Sequence, residues 1–228
     1  MKPTNRTQSF TIWRRIFRKV FFVLIALTIV LLLLVASIRW INPVTSSVLI
    51  QENVVQYFQG DHTWKNFDWR DMEQISPYMA QAVIAAEDQR FYQHWGIDTT
   101  ELRKAWEERH QRTRGVSTIT QQVVKNLFLW NGKSYFRKLL EAGLAPFVDL
   151  VWGKERVLEV YLNIIEYGSW VYGVENASQT FFKKPAAKLN KFEAARLAAV
   201  LPNPKRYSVN HSSQYILDRQ SWILRYMK

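Results

Sequence analysis

The sequence predicts a mainly α-helical domain behind one N-terminal transmembrane helix. Three observations point there: an uncharged run extends from Val20 to Ile38, apolar residues recur at helical spacing in segments punctuated by Gly, Pro and Asn, and strand-like alternation is scarce. With 228 residues, 48% of them hydrophobic, the chain is long enough for one globular domain plus an appendage.

Residues 1–19 are a basic tail. They hold Lys2, Arg6, Arg14, Arg15, Arg18 and Lys19 and no acid, since the first acidic residue is Glu52. Half of the +12 formal charge therefore lies ahead of the apolar run, which points to a membrane boundary, and no nucleic-acid partner is expected. Residues 20–38 read as the transmembrane helix: at about 1.5 Å rise per residue they span roughly 28 Å, close to the bilayer core. A cleaved signal peptide is the competing reading, because Val35, Ala36 and Ser37 form a small-residue stretch. Signal-peptide cores run to only about 7–15 residues, which favours an uncleaved anchor. The positive-inside rule, with Trp13 and Trp40 at interfacial positions, places the N-terminus in the cytoplasm and everything after Trp40 outside. Residues 39–60 read as a stalk and residues 61–228 as the domain. The absence of cysteine excludes disulfides and thiolate metal sites.

Within the domain, "AVIAAEDQRFYQHWG" at 82–96 runs an apolar helix into two adjacent carboxylates. Ser76 and Pro77 are a start signal. Met79, Val83, Ile84, Glu87 and Phe91 then share a helical face, so Glu87 extends an apolar stripe and is expected to be partly desolvated, a setting suited to general acid or base work. A surface Glu at a fraying helix end fits the same letters. Asp88, on the neighbouring face, reads as a loop or capping partner.

The next segment, "RTRGVSTITQQVVKNLF" from Arg112 to Phe128, places a turn at Gly115 and a capping box at Thr118 and Gln121. Ile119, Val123, Val124 and Leu127 form its apolar face, and Thr118, Gln122, Lys125 and Asn126 a polar one. That row suits an anionic, hydroxyl-rich ligand, although an ordinary capped surface helix reads the same way. In "RKLLE", Arg137 and Glu141 are four apart, as an intrahelical ion pair requires, while Arg137 and Lys138 together suit a diphosphate with Glu141 as a second acid beside them. The surroundings are apolar, from "LFLW" at 127–130 to Leu144, Phe147, Val148, Leu150, Val151 and Trp152, and read as core or as a surface dipping into a membrane. Finally "KERVLEVYLNIIEYG", from Lys154, is a core helix through Val157, Leu158, Tyr161, Leu162 and Ile165, with Glu159 and Asn163 as candidates for structural hydrogen bonds.

The constellation says more than its members. Glu87-Asp88 with Phe91, His94 and Gly96, then Gly115, Ser117, Thr118, Ile119, Thr120, Gln122, Lys125 and Asn126, then Arg137, Lys138 and Glu141, then Glu159, Tyr161, Leu162 and Asn163 resemble the ordered motifs of the peptidoglycan glycosyltransferases. "EAARLAAVLPNP", Glu193 to Pro204, resembles the family's closing helix. The likeness covers about residues 65–207, and the chain length is similar to that of the monofunctional biosynthetic transglycosylases of Gram-negative bacteria. Two positions depart from the pattern. Val116 stands where the family usually has a smaller residue, and Pro146 is expected to break or kink a helix after Glu141.

The resemblance implies a lysozyme-like fold that polymerises lipid II into β-1,4-linked glycan by inverting transfer, releasing undecaprenyl pyrophosphate, with Glu87 as general base. It implies that Lys125, Arg137 and Lys138 offset charge on the departing pyrophosphate, and that Glu141 supports them as a second catalytic acid, through a divalent cation such as Mg²⁺ or Mn²⁺. Asp88, Phe91, His94, Gly115, Ser117, Thr118, Gln122 and Asn126 are expected at the substrate. The expected partners are lipid II and the growing strand, membrane lipids, and other cell-wall synthesis and division proteins. The expected location is the inner membrane, single-pass, with a periplasmic domain. A membrane-anchored lytic muramidase of the same fold is one alternative, although its neutral glycan needs no diphosphate clamp, and a noncatalytic membrane-anchored scaffold, which would tolerate loss of Glu87, is the other.

Overall fold

The computed structural model describes residues 5–108, 117–132, 134–211 and 213–227. Two units result, Met1–Ile41 and Asn42–Lys228. The first contains α1 (Asn5–Ser37); its segment Trp13–Ser37 includes an 18-residue stretch of mean hydropathy 3.1 and is long and apolar enough to cross a membrane. This is the single such helix among the described residues.

The second unit is helical apart from one short ribbon. In chain order it comprises α2 (Ser47–Phe58), α3 (Pro77–Glu87), α4 (Thr99–Glu107), α5 (Ile119–Phe128), α6 (Tyr135–Trp152), α7 (Lys154–Ile164), the antiparallel pair β1 (Glu166–Gly168) and β2 (Val171–Tyr172), α8 (Val174–Phe182), α9 (Lys191–Val200) and α10 (Gln214–Tyr226). Mainly α is therefore the observed class.

Two packing groups build the core. In one, α3 lies against α9 and α10; the small side chains Ala194, Ala195, Ala198 and Ala199 of α9 are fully buried, and they let it approach the Met79, Ala82, Val83 and Ala85 face of α3 closely. In the other, α5 packs on α6 and α7 through Ile119, Val123 and Val124. A buried polar link ties those three helices: Asp149 of α6 accepts from the Thr120 hydroxyl and from the Lys154 ammonium, each at 2.9 Å. The desolvated carboxylate is thus paired as burial requires.

Several expectations change. The segment read as a stalk holds α2, whose Leu49 is fully buried and which packs on α5; the Gln51 side chain also accepts from the backbone of Asn131 and donates to the carbonyl of Leu129. A short amphipathic helix of this kind resembles linker until its partner face is known. Ser76 does precede α3, but its hydroxyl donates to the carbonyl of Leu189 at 2.7 Å instead of capping. The stripe drawn through Phe91 also stops early, because α3 ends at Glu87 and Phe91 sits in a separate 3-10 turn, Phe91–Gln93. In α7 burial runs round the helix, taking in Val160, Asn163 and Ile164 as well as Val157, Leu158, Tyr161 and Leu162 of the predicted stripe, while Ile165 falls just past the helix end and is half-buried. Asn163 does make the expected structural bonds, clamping the backbone of Arg70 from both sides at 2.8 Å. Gly115 and Val116 lie outside the described residues.

Pro146 neither breaks nor ends its helix. α6 runs from Tyr135 to Trp152 through it, although Pro146 cannot donate to the carbonyl of Ala142. Gly96 lies against this same turn: with φ +76°, a Cβ built on it would fall 2.5 Å from the carbonyl carbon and oxygen of Ala145 and 2.8 Å from the nitrogen of Pro146. Only glycine permits both the backbone conformation and the approach. Gly96→Ala should therefore destabilise the protein by about 2–4 kcal/mol. Denaturant unfolding of the detergent-solubilised chain measures this, and an unchanged midpoint would contradict the packing described.

Candidate active site

Glu87 is the last residue of α3 and opens into a cleft of about 760 Å³. Its side chain is 15% exposed. One carboxylate oxygen, Oε2, accepts from the Gln122 amide at 3.1 Å, and the other, Oε1, from the Arg219 guanidinium at 3.1 Å. Gln122 is aimed by the start of α5, where Thr118 and Gln121 form the expected capping box, and by Tyr161, whose hydroxyl donates to the Gln122 carbonyl at 3.1 Å. Burial, with Glu87 adding to it, pushes the Tyr161 phenol well above its ordinary value, so it stays a neutral donor.

Four residues expected at the substrate are instead turned into the protein. Asp88 and His94 are buried and bonded to each other, His94 Nε2 lying 2.9 Å from Oδ1 of Asp88, and Asp88 also accepts from the backbone N–H of Ile119 at 3.1 Å. The start of α5 is thereby pinned to the end of α3. Phe91 is fully buried, with the Lys154 ammonium 4.5 Å from its ring centre. The Thr118 hydroxyl donates to the carbonyl of Gly96 at 2.6 Å. None of the four lines the cleft. Their motif spacing serves the junction that positions Glu87, and spacing alone does not distinguish a wall from a surface.

The same cleft carries positive charge. Lys125, Arg137, Lys138 and Glu141 all line the cleft, with Ser117, Gln122 and Asn126 between them. Glu141 is buried and accepts from Arg137 on one oxygen and from Lys138 at 2.9 Å on the other. Lys138 also donates to the Ser117 hydroxyl at 2.8 Å, and Arg137 Nε to the carbonyl of Gly132 at 3.0 Å. Burial first, and then the neighbouring Arg137, pull the Lys125 ammonium below the usual lysine value.

These residues do not form a divalent-cation site around Glu141. Both of its carboxylate oxygens are taken by cations, and a metal ion would meet three like charges from Lys125, Arg137 and Lys138. A second cluster, Asp88, His94 and Asp98, brings ligand atoms within 4.8 Å of one another outside the cleft. Its oxygens are already engaged, since Asp98 caps α4 at Glu101 N–H and pairs with Arg90 at 3.0 Å.

Other cleft residues escaped the sequence reading. Glu52 pairs with Lys205 at 2.8 Å, Lys205 lies 5.3 Å from the Trp170 ring centre, and Glu166, pushed up chiefly by burial, accepts from Trp170 N–H at 3.1 Å. Arg219 escaped it too. The signal for Arg219 was the α10 stripe of Ile216, Gln220 and Ile223, beside which it falls at helical spacing.

The sequence model of the transglycosylase family matches residues 51–228. The chain is 49% identical over 212 residues to the biosynthetic peptidoglycan transglycosylase of Shigella sonnei strain Ss046, covering 87% of this chain and 88% of that one. It is similar to proteins of the same name from Citrobacter koseri, 51% identical over 187 residues, and Escherichia coli strain K12 / DH10B, 52% identical over 186 residues. In both, the match covers 80% of this chain and 77% of the relative.

A lysine with a lowered proton affinity loses its charge at a lower pH than an ordinary one. Binding of inorganic pyrophosphate to the cleft should accordingly weaken as pH rises into the alkaline range, and Lys125→Arg, whose guanidinium stays charged, should push that weakening to higher pH. Calorimetric titration across pH measures it. The same alkaline dependence in both proteins would remove Lys125 from the anion site.

Proposed function

The chain belongs to the transglycosylase family, and on that premise we infer that it polymerises lipid II into β-1,4-linked glycan strands of peptidoglycan by inverting transfer, releasing undecaprenyl pyrophosphate. One observation carries the reading to this chain's own residues: a hydrogen-bonded carboxylate and a triad of cations line the same cleft. The first suits proton removal and the second a leaving diphosphate.

In the proposed step Glu87 takes the proton of the acceptor sugar's 4-hydroxyl as that oxygen forms its bond to the anomeric carbon of the donor. The bond from that carbon to the pyrophosphate oxygen breaks from the opposite face, so configuration inverts without a covalent enzyme intermediate. Lys125, Arg137 and Lys138 offset the negative charge gathering on the pyrophosphate, electrostatic stabilisation of the kind usually worth most in such reactions. Glu141 acts by holding Arg137 and Lys138 in place.

A lipid-linked substrate also fits the outer face of α6. Phe136, Leu139 and Leu150 are 63%, 68% and 67% exposed and fall on one side of that helix, away from the buried Glu141, Ala145 and Val148. One helix thus offers cations to a diphosphate and apolar side chains to membrane lipid. We place the protein in the inner membrane as a single-pass protein with its domain in the periplasm, on the charge bias of residues 1–19 and the apolar α1.

Arg137 separates a polymerase from a hydrolase. Arg137→Ala should lower lipid II polymerisation by about 10²-fold or more, and Arg137→Lys should recover part of it, because charge returns without the planar fork. The same variants should be compared on isolated cell-wall sacculi, with unfolding midpoints taken to control for the Glu141 pairing. Unaltered lipid II turnover, or efficient digestion of sacculi by the wild type, would overturn the reading.

A further inference from the structure

We infer that Arg219 is a positioning residue for Glu87, holding the carboxylate ionised and aimed into the cleft; the assignment rests on the reading of Glu87 as the base. Arg219 belongs to α10, after every motif on which the sequence likeness rests. Its Nη2 donates to Glu87 Oε1 at 3.1 Å and to the carbonyl of Ala86 at 3.2 Å. The two side chains are only 10% and 15% exposed, so water screens the pair weakly.

A purely structural arginine would be served by the Ala86 carbonyl, one of the unsatisfied groups at the end of α3. This one reaches past it to the carboxylate. Glu87 has reason to need the charge. It is partly desolvated, it sits at the negative end of a helix dipole, and Asp88 follows it directly. Each factor favours the protonated acid, which cannot accept a proton.

Among the described residues, the other groups around Glu87 are differently engaged. From α5 comes Gln122, a neutral amide, and from α7 Tyr161, held neutral and bonded to Gln122. Asp88 is turned to His94 and Ile119. On α9, Glu193 pairs with Lys184 at 2.6 Å, while Arg196 donates to Gln220 and to the carbonyl of Val209. Lys125 lines the cleft with the anion-binding cations. A guanidinium also stays protonated throughout the working pH range, so it can hold a base charged without competing for the proton that base removes.

The test is kcat/KM for lipid II against pH, using the full chain in detergent, for the wild type, Arg219→Met, Arg219→Gln and Arg219→Lys. Without the charge the carboxylate holds its proton to higher pH. The acid limb of the Met and Gln variants should therefore move upward by about one pH unit or more, with activity returning as pH rises. Arg219→Lys should keep its limb near the wild type at a reduced plateau. A limb in Arg219→Gln that overlays the wild type would reduce Arg219 to a structural tie, even where Arg219→Met fails to fold. A wild type that does not polymerise lipid II would instead overturn the reading of the reaction, and this assignment with it.

Discussion

Two carboxylates in succession at the C-terminal end of a helix repel one another and the helix dipole alike, and the domain is arranged around that constraint. Glu87 and Asp88 close α3 in this way. The fold answers each with different donors. Asp88 receives the N–H of Ile119, at the positive end of α5, together with the ring of His94. Glu87 receives the amide of Gln122, one turn further along the same helix, and the guanidinium of Arg219. Placing the start of α5 against the end of α3 therefore satisfies the buried acid and, by the same docking, leaves its neighbour at the cleft.

The cationic lining of the cleft follows from the same placement. Once the start of α5 is pinned, its polar row turns Gln122, Lys125 and Asn126 toward the cleft, and α6 packs alongside with Arg137 and Lys138. Like charges so close would repel one another, and the buried Glu141 offsets this by pairing with two of them. Acid and cations are thus held on separate elements lining one cleft. Proton removal and charge neutralisation need that separation if the two groups are not simply to pair with each other.

Much of this was legible in the sequence because it is local. The capping box at Thr118 and Gln121, the four-residue spacing of Arg137 and Glu141 and the apolar run before Glu87 depend on neighbours within a turn or two, and each is present. What escaped depends on contacts distant in the chain. α2 looks like linker without the α5 surface that buries Leu49, and Ser76 looks like a cap without the Leu189 carbonyl that takes its hydroxyl. Asp88, Phe91, His94 and Thr118 carry the expected motif, yet only the tertiary junction reveals that they brace the site instead of lining it. Pro146 stays within α6, and the turn around it is packed, with Gly96 pressed against its backbone.

The claim at the centre is that Glu87 works as a base, not merely as a member of this hydrogen-bonded junction. Glu87→Gln tests it directly, since the amide keeps the shape and an oxygen able to accept from Gln122 or Arg219 but cannot take a proton. Purified wild type and variant would be incubated with labelled lipid II, products separated by size, and folding compared by thermal unfolding. The account predicts long glycan from the wild type and a loss of about 10²- to 10⁴-fold in the folded variant. Near-normal polymerisation by Glu87→Gln would contradict it.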